Sequence, residues 1–282
     1  MPDSRIPFGL LTSCNTNYCG KDNFAADREA AGKLLREIPC AALACRQNRD
    51  FLARVVRVLA NSGVRQFLDI GSGLPAQHNV HEVAQAAVPD CRVVYVDYDQ
   101  VVVSHAKARL KSGSSQVAVV EADLRDPGKI LEGAGGLIDF GEPVAVFMFA
   151  VLHFLTDADQ PRDAVRSLTE ALVPGSALAL SHVTGEGTAP EASLAAQQVY
   201  QGASAPVVPR SRQDVAGFFE GFVLVEPGVA DINLWPGKSP GPAAPLTLYG
   251  GLALKPRARR KPCAGPAPDA HRALIPIPVC QQ

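Results

Sequence analysis

Between residues 64 and 181 the apolar positions fall into short continuous runs, separated by longer stretches in which they recur at helical spacing. The runs 64–70, 92–96, 116–120, 144–150 and 177–181 predict five strands. Each is too short for a helix, and most are bounded by glycine, proline or an acidic residue. The stretches 80–88, 100–110 and 162–172 predict helices between them. Such alternation implies an α/β fold built on a doubly wound, mostly parallel sheet, whose ligands bind beyond the carboxyl ends of the strands. Upstream, 23–38 and 40–61 predict two more helices. In the second, Phe51, Leu52, Val55, Val56, Val58 and Leu59 recur at helical spacing, and Asn61-Ser62-Gly63 supplies its stop. Downstream, 192–201 predicts a helix and a short run at 212–219 follows. The strand-like runs 222–226 and 246–254 then flank a loop rich in proline and glycine. No helix fits between those runs, so they are expected to pair antiparallel and close one edge of the sheet.

From residue 255 the pattern stops. KPRARRKPCAGPAP is basic, proline-rich and aperiodic, the composition of a disordered tail. Three parts are therefore expected: an N-terminal segment with helices covering the site (1–62), the α/β domain (63–254) and the tail (255–282).

Charge and cysteine content narrow the class. A net charge of −1 over 282 residues gives no global attraction to nucleic acid or to an anionic membrane. Seven cysteines without a C-x-x-C pair indicate neither a zinc site nor a disulfide framework. There is no basic segment followed by an apolar one at the start. The longest apolar run, 144–155, falls short of the roughly 20 residues a bilayer needs. A soluble cytoplasmic protein is expected.

The first of the five strands runs into a glycine-rich turn, FLDIGSGLPAQ at 67–77. As G-x-G-x-x-A it matches a dinucleotide fingerprint, which aims a helix N-terminus at a pyrophosphate. As D-x-G-x-G it matches the first motif of S-adenosylmethionine-dependent methyltransferases. Three acids arbitrate. Asp69 precedes Gly71 and Gly73, Asp97 ends the second strand and Asp123 follows the third, so all three fall on one rim of the crevice. A carboxylate at Asp97 suits the ribose hydroxyls of a nucleoside. One at Asp123 can accept a hydrogen bond from an adenine amine, and Asp69 can orient the loop and a methionine ammonium group. The dinucleotide reading leaves Asp69 and Asp123 idle, whereas S-adenosyl-L-methionine uses all three. Methyl transfer to oxygen or nitrogen can also use a general base. His153, just beyond the fourth strand, and His182, at the end of the fifth, are the candidates expected to point into the crevice.

Several blocks also resemble one family, among them GKDNFAADREAA (20–31), NRDFLARVVR (48–57), RQFLDIGSGLP (65–75), VVYVDYD (93–99), VEADLRDP (120–127), AVLHFL (150–155) and SAPVVPRSR (204–212). Together they are similar to a family of S-adenosylmethionine-dependent methyltransferases of high-GC bacteria, first catalogued as a domain of unknown function. The resemblance runs from about residue 17 to 254. It implies a Rossmann-like class I methyltransferase fold with an N-terminal helical extension, and S-adenosyl-L-methionine as cofactor. It also implies cofactor contacts from Lys21 and Asn23, in a segment folding over the site, and from Tyr98, Leu124 and Ala150 beside the motif acids. Two departures stand out: a single glycine, Gly20, where the family has a pair, and His78 where a small residue is usual.

The leading expectation is a methyltransferase acting on a small molecule. Neither an aromatic-basic stripe nor the N-P-P-Y-type motif of amino-methylating DNA enzymes is present. The competing expectations are a non-catalytic S-adenosylmethionine-binding module, which the altered N-terminus motivates, and an NAD-dependent oxidoreductase.

Overall fold

Among the described residues eight strands form one sheet, in the spatial order 117–121, 92–97, 66–70, 144–149, 177–183, 248–254 and 223–224, with 230–231 pairing against 248–254. The structure, a computed structural model, describes residues 41–75, 78–110, 115–187, 207–235 and 246–257. The helices expected at 23–38 and 192–201, Lys21 and Asn23, and the tail beyond 257 lie outside the described residues. Among the described residues the chain runs α1 (Ala41–Asn61), β1 (Gln66–Ile70), α2 (Val80–Ala87), β2 (Arg92–Asp97), α3 (Gln100–Leu110) and β3 (Val117–Glu121). It continues with α4 (Pro127–Ala134), β4 (Val144–Phe149), α5 (Pro161–Glu170), β5 (Ala177–Val183), α6 (Arg212–Gly217), β6 (Val223–Leu224), β7 (Ala230–Asp231) and β8 (Leu248–Leu254). None of these helices is long and apolar enough to cross a membrane.

Strands β1 to β5 pair in parallel, and β1 lies between β2 and β4. The order reverses there, so the carboxyl ends of β1 and β4 frame the crevice. The expected antiparallel edge is present but built differently. β8 pairs over seven positions with β5, and only two residues of β6 join its far side. The short β7 was not foreseen in the sequence. Neither was α4, whose start is capped by the Asp126 carboxylate accepting from the Lys129 N–H, with Pro127 at its first position.

Alternation along each strand sorts side chains to two faces. Phe67, Val93, Tyr95, Phe147, Phe149 and Ala179 meet α1 and α2. Leu68, Val94, Val96, Val146, Met148 and Leu180 meet the layer that includes α4, α5 and Phe218. α1 is thus a structural member of the first layer as well as a wall of the site. Phe51, fully buried, packs against Phe149 and Trp235 with ring centroids 5.5 and 5.2 Å away. A side chain at Gly250 would run into the Phe51 ring, so that glycine is what lets β8 and α1 approach. Burying a phenylalanine this completely contributes about 1.5–3 kcal/mol. Lys255, assigned to the tail by composition, is still anchored: its N–H donates to Ser176 O at 2.7 Å and its Nζ to Thr169 O at 2.8 Å.

Candidate functional site

Beyond Ile70 the chain turns over the end of β2. The Gly71 and Ser72 N–H groups donate to Val96 O at 2.8 and 3.2 Å, and Gly73 N–H donates to Asp97 Oδ2 at 2.9 Å. The other oxygen, Oδ1, accepts from Asp99 N–H at 3.0 Å. Asp97 therefore fastens the glycine loop to the turn after its own strand. Burial pushes its carboxyl up to about 6 even though the N–H groups of Asp99 and Gly73 pull it down. Gly71 sits at φ +72°, and a Cβ there would lie 2.5 Å from Val151 Cγ2, so only glycine fits the turn.

Asp69 stands opposite Tyr95 on β2 and Phe147 on β4, on the face covered by α1. It is 4% exposed, and no hydrogen bond to its carboxylate is found among the described residues. Burial pushes its carboxyl up to about 7, against the pull of Arg49 and with a smaller push from Asp97. Two adjoining cavities meet here, sharing Arg49, Asp69, Ser72 and Gly73. The first lies under the ends of β4 and β5, walled by Leu52, Phe149, Ala150, Val183 and Leu248, with Asn48 on its lining. The second extends toward α2 and α3, between Asn79, His81, Tyr95 and Arg109.

A hydrogen-bond chain orients one polar wall of the first cavity. Ala150, at φ +53°, donates its N–H to Ser181 Oγ at 3.0 Å, and that hydroxyl donates to Asn48 Oδ1 at 2.6 Å. With the serine proton spent on Asn48, the asparagine oxygen is fixed toward β5 and its amide nitrogen remains a donor. In the second cavity the Tyr95 hydroxyl meets His81 Nδ1 at 2.7 Å and accepts from the His81 N–H at 2.9 Å.

On the far rim, Asp123 is gripped by Arg125, whose Nε and Nη2 reach Oδ1 at 3.0 Å and Oδ2 at 2.6 Å. Burial would raise this carboxyl, but the hydrogen bonds and charge of Arg125 hold it below its ordinary value. Arg125 also approaches Asp159, beyond β4, at 3.7 Å. Tyr98 is 38% exposed beside Asp97 and Asp123, its hydroxyl pushed up to about 12 by burial and then by those acids. The Leu124 side chain packs in the second-layer core.

The histidines are placed otherwise than expected. His182 shares the face of Leu178 and Leu180, the opposite side of the sheet from the cavities. Its Nδ1 donates to Val183 O at 2.7 Å, and its Nε2 meets Arg210 Nη1 at 3.1 Å. A guanidinium only donates, so Nε2 is the acceptor and its lone pair is taken. Burial pushes His182 down to about 4. His153 is wholly buried against Phe154 and His182, and neither ring nitrogen has a partner among the described residues. Burial, then His182 and Arg210, hold it well below its ordinary value. Neither ring lines the two cavities, and a proton-accepting role for either does not fit this geometry. Arg210 organises the region. Besides His182, its guanidinium donates to Leu152 O, Leu155 O and Asp157 Oδ1 at 3.1, 3.0 and 2.9 Å, pinning the turn after β4.

Arg49, Asn48, Ser181 and Arg210 were not singled out in the sequence. Asn48 carried a signal: it lies in register with the buried stripe Ala41, Cys45, Leu52 and Val55 of α1, a polar residue on an apolar face.

The chain matches, over residues 15–256, the family model described as S-adenosyl methyltransferase. Among solved structures it is similar to a DUF574 family protein from Streptomyces avermitilis MA-4680. The two are 36% identical over 90% of this chain and 98% of that one, with a TM-score of 0.82. A protein from Thermobifida fusca YX is 35% identical over 90% of this chain and 96% of its own, with a TM-score of 0.81. The N-methyltransferase NodS from Bradyrhizobium japonicum WM9, solved with S-adenosyl-L-homocysteine, shares 15% identity over 88% of this chain and 100% of that one. Its TM-score is 0.50, a likeness of fold alone. No curated protein matches the sequence.

Proposed function

Because the chain belongs to the S-adenosyl methyltransferase family and S-adenosylmethionine is its cofactor, we propose that it methylates an oxygen or nitrogen atom of a small molecule. The observation that carries this reading is the pair of adjoining cavities meeting at the glycine loop, with the buried Asp69 between them. Asp97 holds the loop in shape and, with Tyr98, borders the place for a ribose. Asp123 offers the rim a carboxylate for an adenine amine, sharing it with Arg125. Lys21 and Asn23 keep the role that the family resemblance implies for them.

The cofactor supplies, when bound, a methyl group on a sulfonium centre. For the acceptor, Leu52, Phe149, Val183 and Leu248 give the first cavity an apolar wall. The Asn48 amide nitrogen, fixed by Ser181, donates a hydrogen bond that orients the acceptor. His153 and His182 are buried and line neither cavity, so neither is given the part of the base. Catalysis then rests on positioning, which can supply roughly 7–11 kcal/mol. A cavity with an apolar wall and the oriented Asn48 amide suits a small acceptor better than a nucleic-acid backbone, in keeping with a net charge of −1.

The test is transfer of label from methyl-labelled S-adenosylmethionine into a cell extract, separated into small molecules and precipitable macromolecules. Label in the small-molecule fraction supports the reading. Label confined to protein or nucleic acid overturns it, and cofactor binding without any transfer leaves a binding module in its place.

A further inference from the structure

The turn after β4 is bonded to β5 even without the Ser181 hydroxyl. The Ala150 N–H donates to Ser181 O at 3.1 Å, and its bond to Oγ at 3.0 Å is a second, shared one. The further effect of the hydroxyl is on α1. A main-chain N–H never accepts, so Oγ is an acceptor toward Ala150 and its single proton goes to Asn48 Oδ1. At 2.6 Å that contact has the length of an O–H···O bond and is too short for an amide N–H donor. The distance itself therefore fixes which way the Asn48 amide faces. Its nitrogen carries two protons and makes no hydrogen bond among the described residues.

Around that amide the first cavity is apolar on the side of β4 and β5, where Leu52, Phe149, Val183, Leu246 and Leu248 line it. Asp69 and Ser72 belong to β1 and its loop, and Arg49 is on the lining shared with the second cavity. A molecule lying on the apolar wall thus meets a donor of fixed direction. The atom to be methylated must keep a lone pair for the methyl group, so a donor bonded to it would compete with the reaction. The productive partner of Asn48 is a second atom of the same molecule. A carbonyl oxygen suits it better than a hydroxyl, whose own proton would face the apolar wall without a partner. We propose that Asn48 selects the acceptor: a compact, largely apolar molecule with a carbonyl oxygen close to the oxygen or nitrogen that is methylated. The Asn48 amide donates to that carbonyl, and Ser181 is a positioning residue that acts through Asn48. This rests on the reading of the first cavity as the acceptor site and deepens it by naming the class of acceptor.

The test follows a carbon-13 methyl label from S-adenosylmethionine into the small-molecule fraction of a cell extract, using the full chain. The product labelled by the wild type is purified, and its mass and carbon NMR spectra are recorded. A carbonyl group close to the methyl-bearing atom is expected, and a product without any carbonyl overturns the class. Initial rates into that product are then compared over a dilution series of the fraction. Asn48→Asp keeps the size of the side chain but turns an acceptor toward the carbonyl. It should lower the rate at dilute acceptor by about tenfold to a hundredfold. Ser181→Ala keeps the backbone bond of the turn but frees the amide to rotate, and should cost about threefold to tenfold. Calorimetric affinity for S-adenosylhomocysteine should stay within about threefold of wild type in both, which a loss of packing would not allow. An Asn48→Asp protein with the wild-type rate overturns the proposal, and so does one that loses cofactor affinity as much as rate. If that variant does not fold, Asn48→Leu, which deletes the donor without adding charge, is judged by the same two results. A Ser181→Ala protein with the wild-type rate overturns the positioning part. A wild type that labels no small molecule overturns instead the reading on which the proposal rests.

Discussion

Replacing Asp69 by Asn should change how the stability of the ligand-free protein depends on pH. The carboxyl moves from 3.8 in the unfolded chain to about 7 in the folded one, with desolvation as the main cause. At about 1.4 kcal/mol per pH unit, that rise corresponds to about 4 kcal/mol. With 4% exposure, solvent screening removes little of it. A raised folded pKa means the folded chain holds a proton that the unfolded chain has released. The stabilisation is therefore complete below pH 3.8, falls as pH rises and is spent once pH passes about 7. Asn cannot ionise, so the variant lacks this slope. Asp97, pushed to about 6, adds a slope of the same sign, but it is present in both proteins and largely cancels in their difference. Urea-unfolding free energies at half-unit steps from pH 4.5 to 8 give the difference curve. The variant should gain on the wild type by about 2–3 kcal/mol between pH 5 and 7.5. A difference that stays flat within about 1 kcal/mol would show that Asp69 is not held in a desolvated site, and the argument from burial would fail.

Gly71→Ala places a Cβ at φ +72° and 2.5 Å from Val151 Cγ2. It should cost more than about 2 kcal/mol and abolish S-adenosylhomocysteine binding, and an affinity within threefold of wild type in calorimetry would refute the turn argument. Arg210→Ala strips the partners from Leu152 O, Leu155 O and His182 Nε2. At about 1–3 kcal/mol for each buried orphan, denaturant unfolding should register a loss of at least ~3 kcal/mol, and a loss below ~1 kcal/mol would contradict the clamp on the turn after β4. Asp123→Ala should weaken S-adenosylhomocysteine and 5′-methylthioadenosine alike, by roughly two- to tenfold, the worth of one hydrogen bond. Unchanged affinity for both would mean that Arg125 is the only partner of Asp123.

The parallel strands were readable because each is a continuous apolar run ending in a turn or an acid, and β1 to β5 fall within two or three residues of the expected bounds. The resemblance read over 17–254 agrees with a family match over 15–256. α4 escaped notice because Gly128 and Gly133 dilute its eight residues, leaving Ile130 and Ala134 as its buried positions. β6 and β7, at two residues each, carry no periodicity, and their pairing with β8 is set by the tertiary fold.

The site was legible where the backbone dictates it and obscure where side-chain direction does. Asp69 and Asp97 are fixed by the strand ends they occupy, and their common face follows from counting in twos from Phe67 and Tyr95. The same count, applied to β5, assigns Ser181 to the cavity side with Ala179 and sends His182 to the other side with Leu180. Proximity to the end of a strand had suggested His182 as a base, yet one residue of parity decides between a group that faces the ligand and one that is sealed beneath it. Arg49 lacked even that cue. Charged residues flank it throughout α1, and an arginine on such a helix reads as solvated surface. Only the meeting of α1 with the glycine loop singles it out, because that contact sets it, with the buried Asp69, on the lining of both cavities. The acid that tethers the loop could thus be read from sequence, and the arginine beside the cavities had to await the packing of a helix.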